Sequence, residues 1–107
     1  MEINVNSIGK GYALDRVAET LAAHDVTDYL WHGGRSSVLA RGVNHADPRK
    51  AWTVGVGHPL HPGKRVAELH LRDQGMGTAG SGTQFFEHEG KRYGHVIDPR
   101  TGWPAID

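Results

Sequence analysis

The sequence predicts an α+β fold in which one main helix packs on a mostly antiparallel sheet. Two patterns support this class: one early segment has apolar residues at helical spacing, and several later short segments are rich in β-branched and aromatic residues. A length of 107 residues is enough for one small domain and too short for two. The helix and the strands are therefore expected to share one layered arrangement.

The helix is predicted over residues 9–24. Its apolar side chains fall on one side and its charged side chains on the other, as in an amphipathic helix. The apolar set is Leu14, Val17, Ala18 and Leu21. Asp25 and the β-branched Val26 are expected to end the helix.

The rest of the chain favours short strands joined by turns. Strands are predicted over residues 29–31, 36–40, 52–56 and 66–71, with a hairpin of residues 83–87 and 92–97 around Glu89 and Gly90. The glycine-broken segment 75–82 is predicted to be neither helix nor strand. Residues 98–102, Asp-Pro-Arg-Thr-Gly, predict a tight turn, because Pro fixes φ after the Asp and Gly closes the turn.

The composition excludes several classes of protein. Lys plus Arg and Asp plus Glu number 12 each, so neither a nucleic-acid partner nor a polybasic membrane anchor is expected. No apolar run is long enough for a transmembrane segment. The chain has no cysteine, which excludes disulfides, thiolate zinc sites and a cysteine nucleophile. His58 and His61 lack zinc-type spacing and are expected to be surface residues.

The first candidate site is the helix start, residues 8–15. Glycines there let the backbone approach a ligand closely, and a helix start presents free N–H groups to an anion. Lys10 adds a positive charge that the helix dipole disfavours at this end, and a bound phosphate would account for it. The alternative is a glycine-rich helix start with a solvated lysine.

Two further segments combine glycines with hydroxyl groups. Residues 31–37 end a strand in Gly33 and Gly34, followed by an arginine and two serines. They are suited to a nucleotide or a metal-bound phosphate, and the alternative is a turn between strands. Residues 78–83, which include Ser81 and Gly82, are suited to a nest of backbone N–H groups around phosphate. The alternative there is a plain loop.

The fourth segment, residues 93–102, brings three kinds of polar group together. His95 lies near a strand end, and Asp98 and Arg100 follow on the predicted turn. An acid–base group, a carboxylate and a cation are therefore expected close to one another. The alternative is a hairpin exit with a capped aspartate.

In this order the four segments resemble the FAD:protein FMN transferases, the ApbE family. That family typically shows an Asp-Leu-Gly-x-Ile-Ala-Lys-Gly-Tyr-x-x-Asp helix start, a strand ending in Gly-Gly, a small-residue segment ending in Ser-Gly, and a hairpin into His-Ile-Ile-Asp-Pro-x-Thr-Gly. Residues 8–15, 33–34, 81–82 and 95–102 carry the match, which spans essentially the whole chain. Asn4 stands where the family usually has Asp, and Trp31 and His32 replace the usual Asn-Leu.

The resemblance implies Mg²⁺-dependent transfer of FMN from FAD to a threonine hydroxyl of an acceptor flavoprotein, with AMP leaving. It gives His95 the role of proton acceptor and the Gly9 carbonyl that of a Mg²⁺ ligand. The implied cofactor-binding residues are Lys10, Gly11, Tyr12, Gly33, Gly34, Ser81, Gly82, Asp98, Arg100 and Thr101. Two alternatives stay open: a non-catalytic FAD-binding module, and an FAD pyrophosphatase that gives FMN and AMP.

The resemblance also implies that residues 1–107 are the middle of an ApbE-like domain, with N- and C-terminal parts missing. The family carries a downstream segment, with an Asp and a Thr a turn apart, that completes the Mg²⁺ site. The chain alone is therefore not expected to turn over FAD. Family resemblance suggests the periplasmic side of the cell envelope, with the cytoplasm as the alternative.

Overall fold

The computed structural model describes residues 1–34, 36–80 and 85–105, and in these residues one helix precedes seven strands. The elements are α1 (Asn6–Ala23), β1 (Tyr29–Gly33), β2 (Ser37–Arg41), β3 (Trp52–Gly57), β4 (Arg65–Leu71), β5 (Gln74–Gly77), β6 (Phe85–His88) and β7 (Lys91–Gly94). Every strand pair is antiparallel. The α+β class with one main helix is confirmed, although the strands form three small sheets, β1-β2-β5, β3-β4 and β6-β7, rather than one.

The helix begins at Asn6, earlier than the predicted start at Gly9. The Asn4 Oδ1 accepts a hydrogen bond from the Asn6 N–H at 2.8 Å. The Val5 carbonyl accepts the N–H of Gly9 at 2.8 Å, which closes the first turn. The first of these bonds satisfies an N–H group that a helix start otherwise leaves without a partner, and the second is the first hydrogen bond of the helix itself.

The helix ends where the sequence predicts. The Val26 N–H donates to the Leu21 carbonyl at 2.9 Å, and the Asp25 N–H donates to the Ala22 carbonyl at 3.1 Å. Asp25 has φ of 58°, the left-handed conformation that closes helices in this pattern and that Asp tolerates better than most residues. The turn then leads the chain directly towards β1.

The core lies between the first two sheets. Val38, Ala40 and Leu71 are buried together, and three half-buried residues pack against them, Trp52, Val54 and Met76. The prediction that segment 75–82 lacks strand structure is wrong at its start, which β5 occupies. The backbone of β5 completes a ladder with β2, and Met76 lies opposite Val38. Backbone pairing with β2 and the packing of Met76 in the core therefore stabilise a strand here despite Gly75 and Gly77.

The predicted hairpin is confirmed as β6 and β7, with a second strand that ends at Gly94, earlier than predicted. Residues 83 and 84 of its predicted first strand lie outside the described residues. Glu89 and Gly90 form its turn with φ of 51° and 73°. Two consecutive positive φ values are typical of two-residue hairpin turns, because their twist matches that of the strands. The hairpin brings the chain to His95.

The core is small for the length of the chain. The radius of gyration is 17.1 Å, against about 13 Å for a compact domain of this size. Large apolar side chains such as Ile8, Leu60 and Trp103 are each 68% exposed. In the described residues no helix is long and apolar enough to cross a membrane. Much apolar surface thus lies outside the core that this chain forms.

Candidate functional site

Lys10 joins the helix to the turn between β1 and β2. Its Nζ donates a hydrogen bond to the Ser36 Oγ at 3.2 Å. A Cβ built on Gly34 would lie 3.7 Å from the same Nζ, and Gly34 has φ of +64°, which favours glycine. Gly33 is half-buried against the helix, since a Cβ there would lie 3.8 Å from the Leu14 Cδ2. The first two predicted segments therefore meet.

The third predicted segment starts at the same place. The Thr78 N–H donates to the Ser36 carbonyl at 2.7 Å. Ser36 thereby contacts both the helix and the first residue of segment 78–83, although neither Ser36 nor Thr78 was predicted to have an individual role. The feature of the sequence that could have indicated Ser36 is the pair of serines that closely follows Gly33 and Gly34. Ser81 and Gly82 lie outside the described residues.

The charge of Lys10 has no counter-charge beside it among the residues that the structure describes. Within the described parts of the chain, no carboxylate lies within 4.0 Å of its ammonium. An ammonium has three N–H donors, and the bond to Ser36 uses one. The group can still bind anionic oxygens. The prediction that Lys10 lies at the unfavourable end of the helix dipole is wrong, however, because the helix begins at Asn6 and Lys10 lies one turn inside it.

Open space lies beside the two glycines of the helix. A Cβ built on Gly9 or on Gly11 would meet no atom of the described residues within 4 Å, and neither residue has a positive φ. Tyr12 is 65% exposed, with the Arg16 guanidinium carbon 6.0 Å from its ring centroid. Within residues 1–34, 36–80 and 85–105, neither packing nor backbone conformation requires glycine at these positions, so the helix offers an accessible backbone beside Lys10.

His95 follows β7 directly, in an exposed bend. The predicted placement of this histidine at a strand end is what the structure shows. The next residues form a short hairpin of their own, in which Ile97 bridges Pro104 and the Ala105 N–H donates to the Val96 carbonyl at 2.8 Å. We predict that His95 and Lys10 lie on one cleft, because a single phosphate region of the ligand would have to contact both.

The predicted turn after His95 is held by its first and third residues. The Asp98 carbonyl accepts the N–H groups of Thr101 at 3.2 Å and Gly102 at 2.8 Å. The Asp98 carboxylate accepts the Arg100 backbone N–H at 2.9 Å, its Nε–H at 3.0 Å and its Nη2–H at 2.8 Å. The Thr101 Oγ1 accepts the Trp103 N–H at 3.2 Å. These bonds make a rigid unit of the turn.

The two charges of the turn shift each other's ionisation. The Arg100 guanidinium, followed by the Arg100 backbone N–H, holds the pKa of the Asp98 carboxyl below its ordinary value, and Asp98 in turn raises the pKa of Arg100. The Arg100 side chain is 87% exposed while bound to Asp98. In this chain Arg100 therefore stabilises the turn, and its contact with a nucleotide stays a prediction.

The described residues do not fit a complete Mg²⁺ site. They contain no group of three or more His, Cys, Asp or Glu side chains that could hold a metal ion. Mg²⁺ requires close to octahedral coordination by oxygen, and the single carbonyl of Gly9 does not supply it. His58 is unsuited as well, because its Nδ1 accepts the backbone N–H groups of Leu60 at 3.0 Å and His61 at 3.2 Å. A histidine that binds a metal through one ring nitrogen normally donates a hydrogen bond from the other, and the Nδ1 of His58 accepts instead.

The fold and the site define the class of this protein as an α+β domain. Its glycine-containing helix places Lys10 beside the Gly33–Gly34 turn. His95 and the Asp-Pro-Arg-Thr-Gly turn follow the β6–β7 hairpin. The sequence profile of the ApbE family matches residues 1–107, and the chain belongs to this family. The family resemblance seen in the sequence is thereby confirmed.

Named relatives agree with this assignment. The chain is 35% identical to the FAD:protein FMN transferase of Treponema pallidum, over 98% of the chain and 31% of that protein. It is 35% identical to the protein of the same name in Haemophilus influenzae, over 95% of the chain and 29% of that protein. The crystal structure of the ApbE protein from Thermotoga maritima superposes with a TM-score of 0.80 at 30% identity, over 97% of this chain and 33% of that one. The chain spans about a third of the length of these proteins.

Proposed function

We propose that this chain is part of an FAD:protein FMN transferase, which moves FMN from FAD to a threonine hydroxyl of an acceptor flavoprotein and releases AMP. The observation that carries the proposal is the match of the whole chain to the ApbE family, with relatives that bear this name. The position of Lys10 supports it, because a lysine without a carboxylate partner in the described residues suits a pyrophosphate.

The catalytic site is completed, in this proposal, by residues outside the described part of the chain. Two observations support this. The chain spans about a third of its relatives, and many of its large apolar side chains are exposed, as expected for surfaces that pack on further elements. The Mg²⁺ ligands other than the Gly9 carbonyl belong to the same set of residues.

The proposed reaction replaces the phosphoanhydride bond within FAD by a phosphoester bond to threonine. The threonine Oγ attacks the phosphorus of the FMN half of FAD, the bond from that phosphorus to the bridging oxygen breaks, and AMP leaves with that oxygen. His95 takes the proton that the threonine loses. Lys10 stabilises the negative charge on the phosphate oxygens. In such transfers the protein mainly positions groups and neutralises charge.

The test is flavin transfer by the full-length protein that carries this chain. It is incubated with FAD, Mg²⁺ and a threonine-containing acceptor peptide, and the reaction is followed by the fluorescence of the peptide and by chromatography of AMP. A peptide with valine in place of the threonine is the matched control. We expect equal amounts of labelled peptide and AMP, with neither product when Mg²⁺ is omitted.

The same assay separates the alternatives. AMP without labelled peptide would identify an FAD pyrophosphatase, and FAD binding without either product would identify a binding module. We further predict that the 107-residue chain alone releases no AMP from FAD and Mg²⁺, because its described residues lack a Mg²⁺ ligand set. Robust Mg²⁺-dependent release by the chain alone would contradict the proposal that the site is completed elsewhere.

A further inference from the structure

We propose that Ser36 is a positioning residue, whose hydroxyl holds the Lys10 ammonium beside the Gly33–Gly34 turn so that its charge is presented to phosphate oxygens of the substrate. This inference rests on the proposed function and adds to it a residue that acts through Lys10. The group of the substrate that Lys10 would bind is the pyrophosphate of FAD.

The support for Ser36 is rigid. Ser36 lies immediately before β2, whose first residue, Ser37, pairs with Gly33 on one side and with Gly77 on the other. Its carbonyl accepts the Thr78 N–H at 2.7 Å. The carbonyl of Ser36 is thus bonded to the residue that follows β5, its neighbour Ser37 pairs with strands on both sides, and Ser36 is half-buried. A flexible lysine chain that would otherwise sample many rotamers gains one fixed acceptor.

The chemistry of the acceptor matters as much as its position. A serine hydroxyl is neutral, so it orients the ammonium without neutralising it, and in the described residues two N–H donors stay available. A carboxylate at the same place would form an ion pair with Lys10 and compete with phosphate. Three variants follow from this contrast: Ser36→Ala removes the acceptor, Ser36→Thr keeps a hydroxyl, and Ser36→Asp neutralises the lysine.

The first experiment measures transfer and KM for FAD in the full-length protein. We expect Ser36→Ala to raise KM about two- to tenfold, the range for loss of one hydrogen bond. Ser36→Asp should raise it further, and Ser36→Thr should stay close to the parent. In a Lys10→Ala background, Ser36→Ala should have no additional effect. An equal effect of Ser36→Ala in both backgrounds, or none in either, would overturn the proposal.

The second experiment uses the full-length protein that carries this chain and does not depend on catalysis. The ¹⁵N NMR signal of the Lys10 ammonium is followed during titration with inorganic pyrophosphate. The ammonium of Lys64, an exposed lysine just before β4, is the internal control. We expect Ser36→Ala to broaden the Lys10 signal and to weaken its response to pyrophosphate, and Ser36→Thr to preserve both. An unchanged response in Ser36→Ala overturns the proposal even if transfer is observed. A parent protein that transfers no flavin overturns the proposed function, while this titration still decides the role of Ser36.

Discussion

Gly11→Ala should make the chain more stable. Gly11 lies inside α1 (Asn6–Ala23) and has no positive φ, and a Cβ there would meet nothing within 4 Å in the part of the chain that the structure describes. The substitution therefore adds a methyl group without a clash and removes the backbone entropy cost of glycine, which is about 0.5–1 kcal/mol in a helix interior. For a domain of this size that corresponds to a rise in Tm of about 2–8 °C.

The assay is thermal unfolding of the chain followed by far-UV circular dichroism. The matched control is Ala13→Gly, an exposed position of the same helix, which should lower Tm by a similar amount. In the full-length protein, Gly11→Ala should weaken FAD binding, because the methyl group occupies the open space beside Lys10. A lower Tm for Gly11→Ala would refute the helix geometry. A higher Tm with unchanged FAD affinity and transfer would refute the role of Gly11 in cofactor binding.

Three further predictions concern His95, the Asp98–Arg100 pair and the position of His95 relative to Lys10. Arg100→Ala should raise the pKa of the Asp98 carboxyl towards its ordinary value, measured by ¹³C NMR titration. Because Arg100 lowers that pKa in the folded chain, its contribution to stability exists above the unfolded pKa and is lost as pH falls through the folded one, so the variant should lose less stability on acidification. An unchanged midpoint would contradict the paired geometry. In the full-length protein His95→Ala should reduce transfer about a hundred- to ten-thousandfold with little loss of FAD affinity, whereas Lys10→Ala should reduce both. Transfer at the parent rate would make His95 a packing residue, and equal loss of FAD binding in both variants would make it a cofactor-pocket residue. The chain lacks cysteine, so Lys10→Cys with His95→Cys gives a clean pair for a short bismaleimide, and we expect a cross-link that urea abolishes. Its absence from the folded chain would place the two residues on separate surfaces.

The sequence predicted the elements whose signals are local. The end of the helix at Asp25 and Val26 and the hairpin turn at Glu89 and Gly90 follow from residues that are adjacent in the chain. The early helix start could also have been predicted, since Asn is a residue type that often precedes helices and Asn4 lies just before this one. The prediction placed the start at Gly9 because the glycines at positions 9 and 11 were interpreted as a helix entry.

Features that depend on distant residues were not predictable in the same way. Strand β5 forms because β2 supplies its hydrogen bonds and because Met76 reaches a core that includes Leu71. The hydrogen bond of Lys10 to Ser36 joins residues that are 26 positions apart. Local propensity cannot anticipate either contact, because each is stabilised by a partner that only the folded chain brings near.

The helix carries a cost that the chain itself does not explain. Glycine at positions 9 and 11 destabilises a helix by about 1 kcal/mol each relative to alanine, and no side chain in the described residues fills the space beside either of them. A chain with six buried apolar residues in its described parts has little stability to offset that cost. The same stretch of helix holds Lys10, whose ammonium has no carboxylate within reach in the described residues. An anionic ligand lying against the exposed backbone would account for both features at once, because it needs the absent methyl groups and the unneutralised charge together.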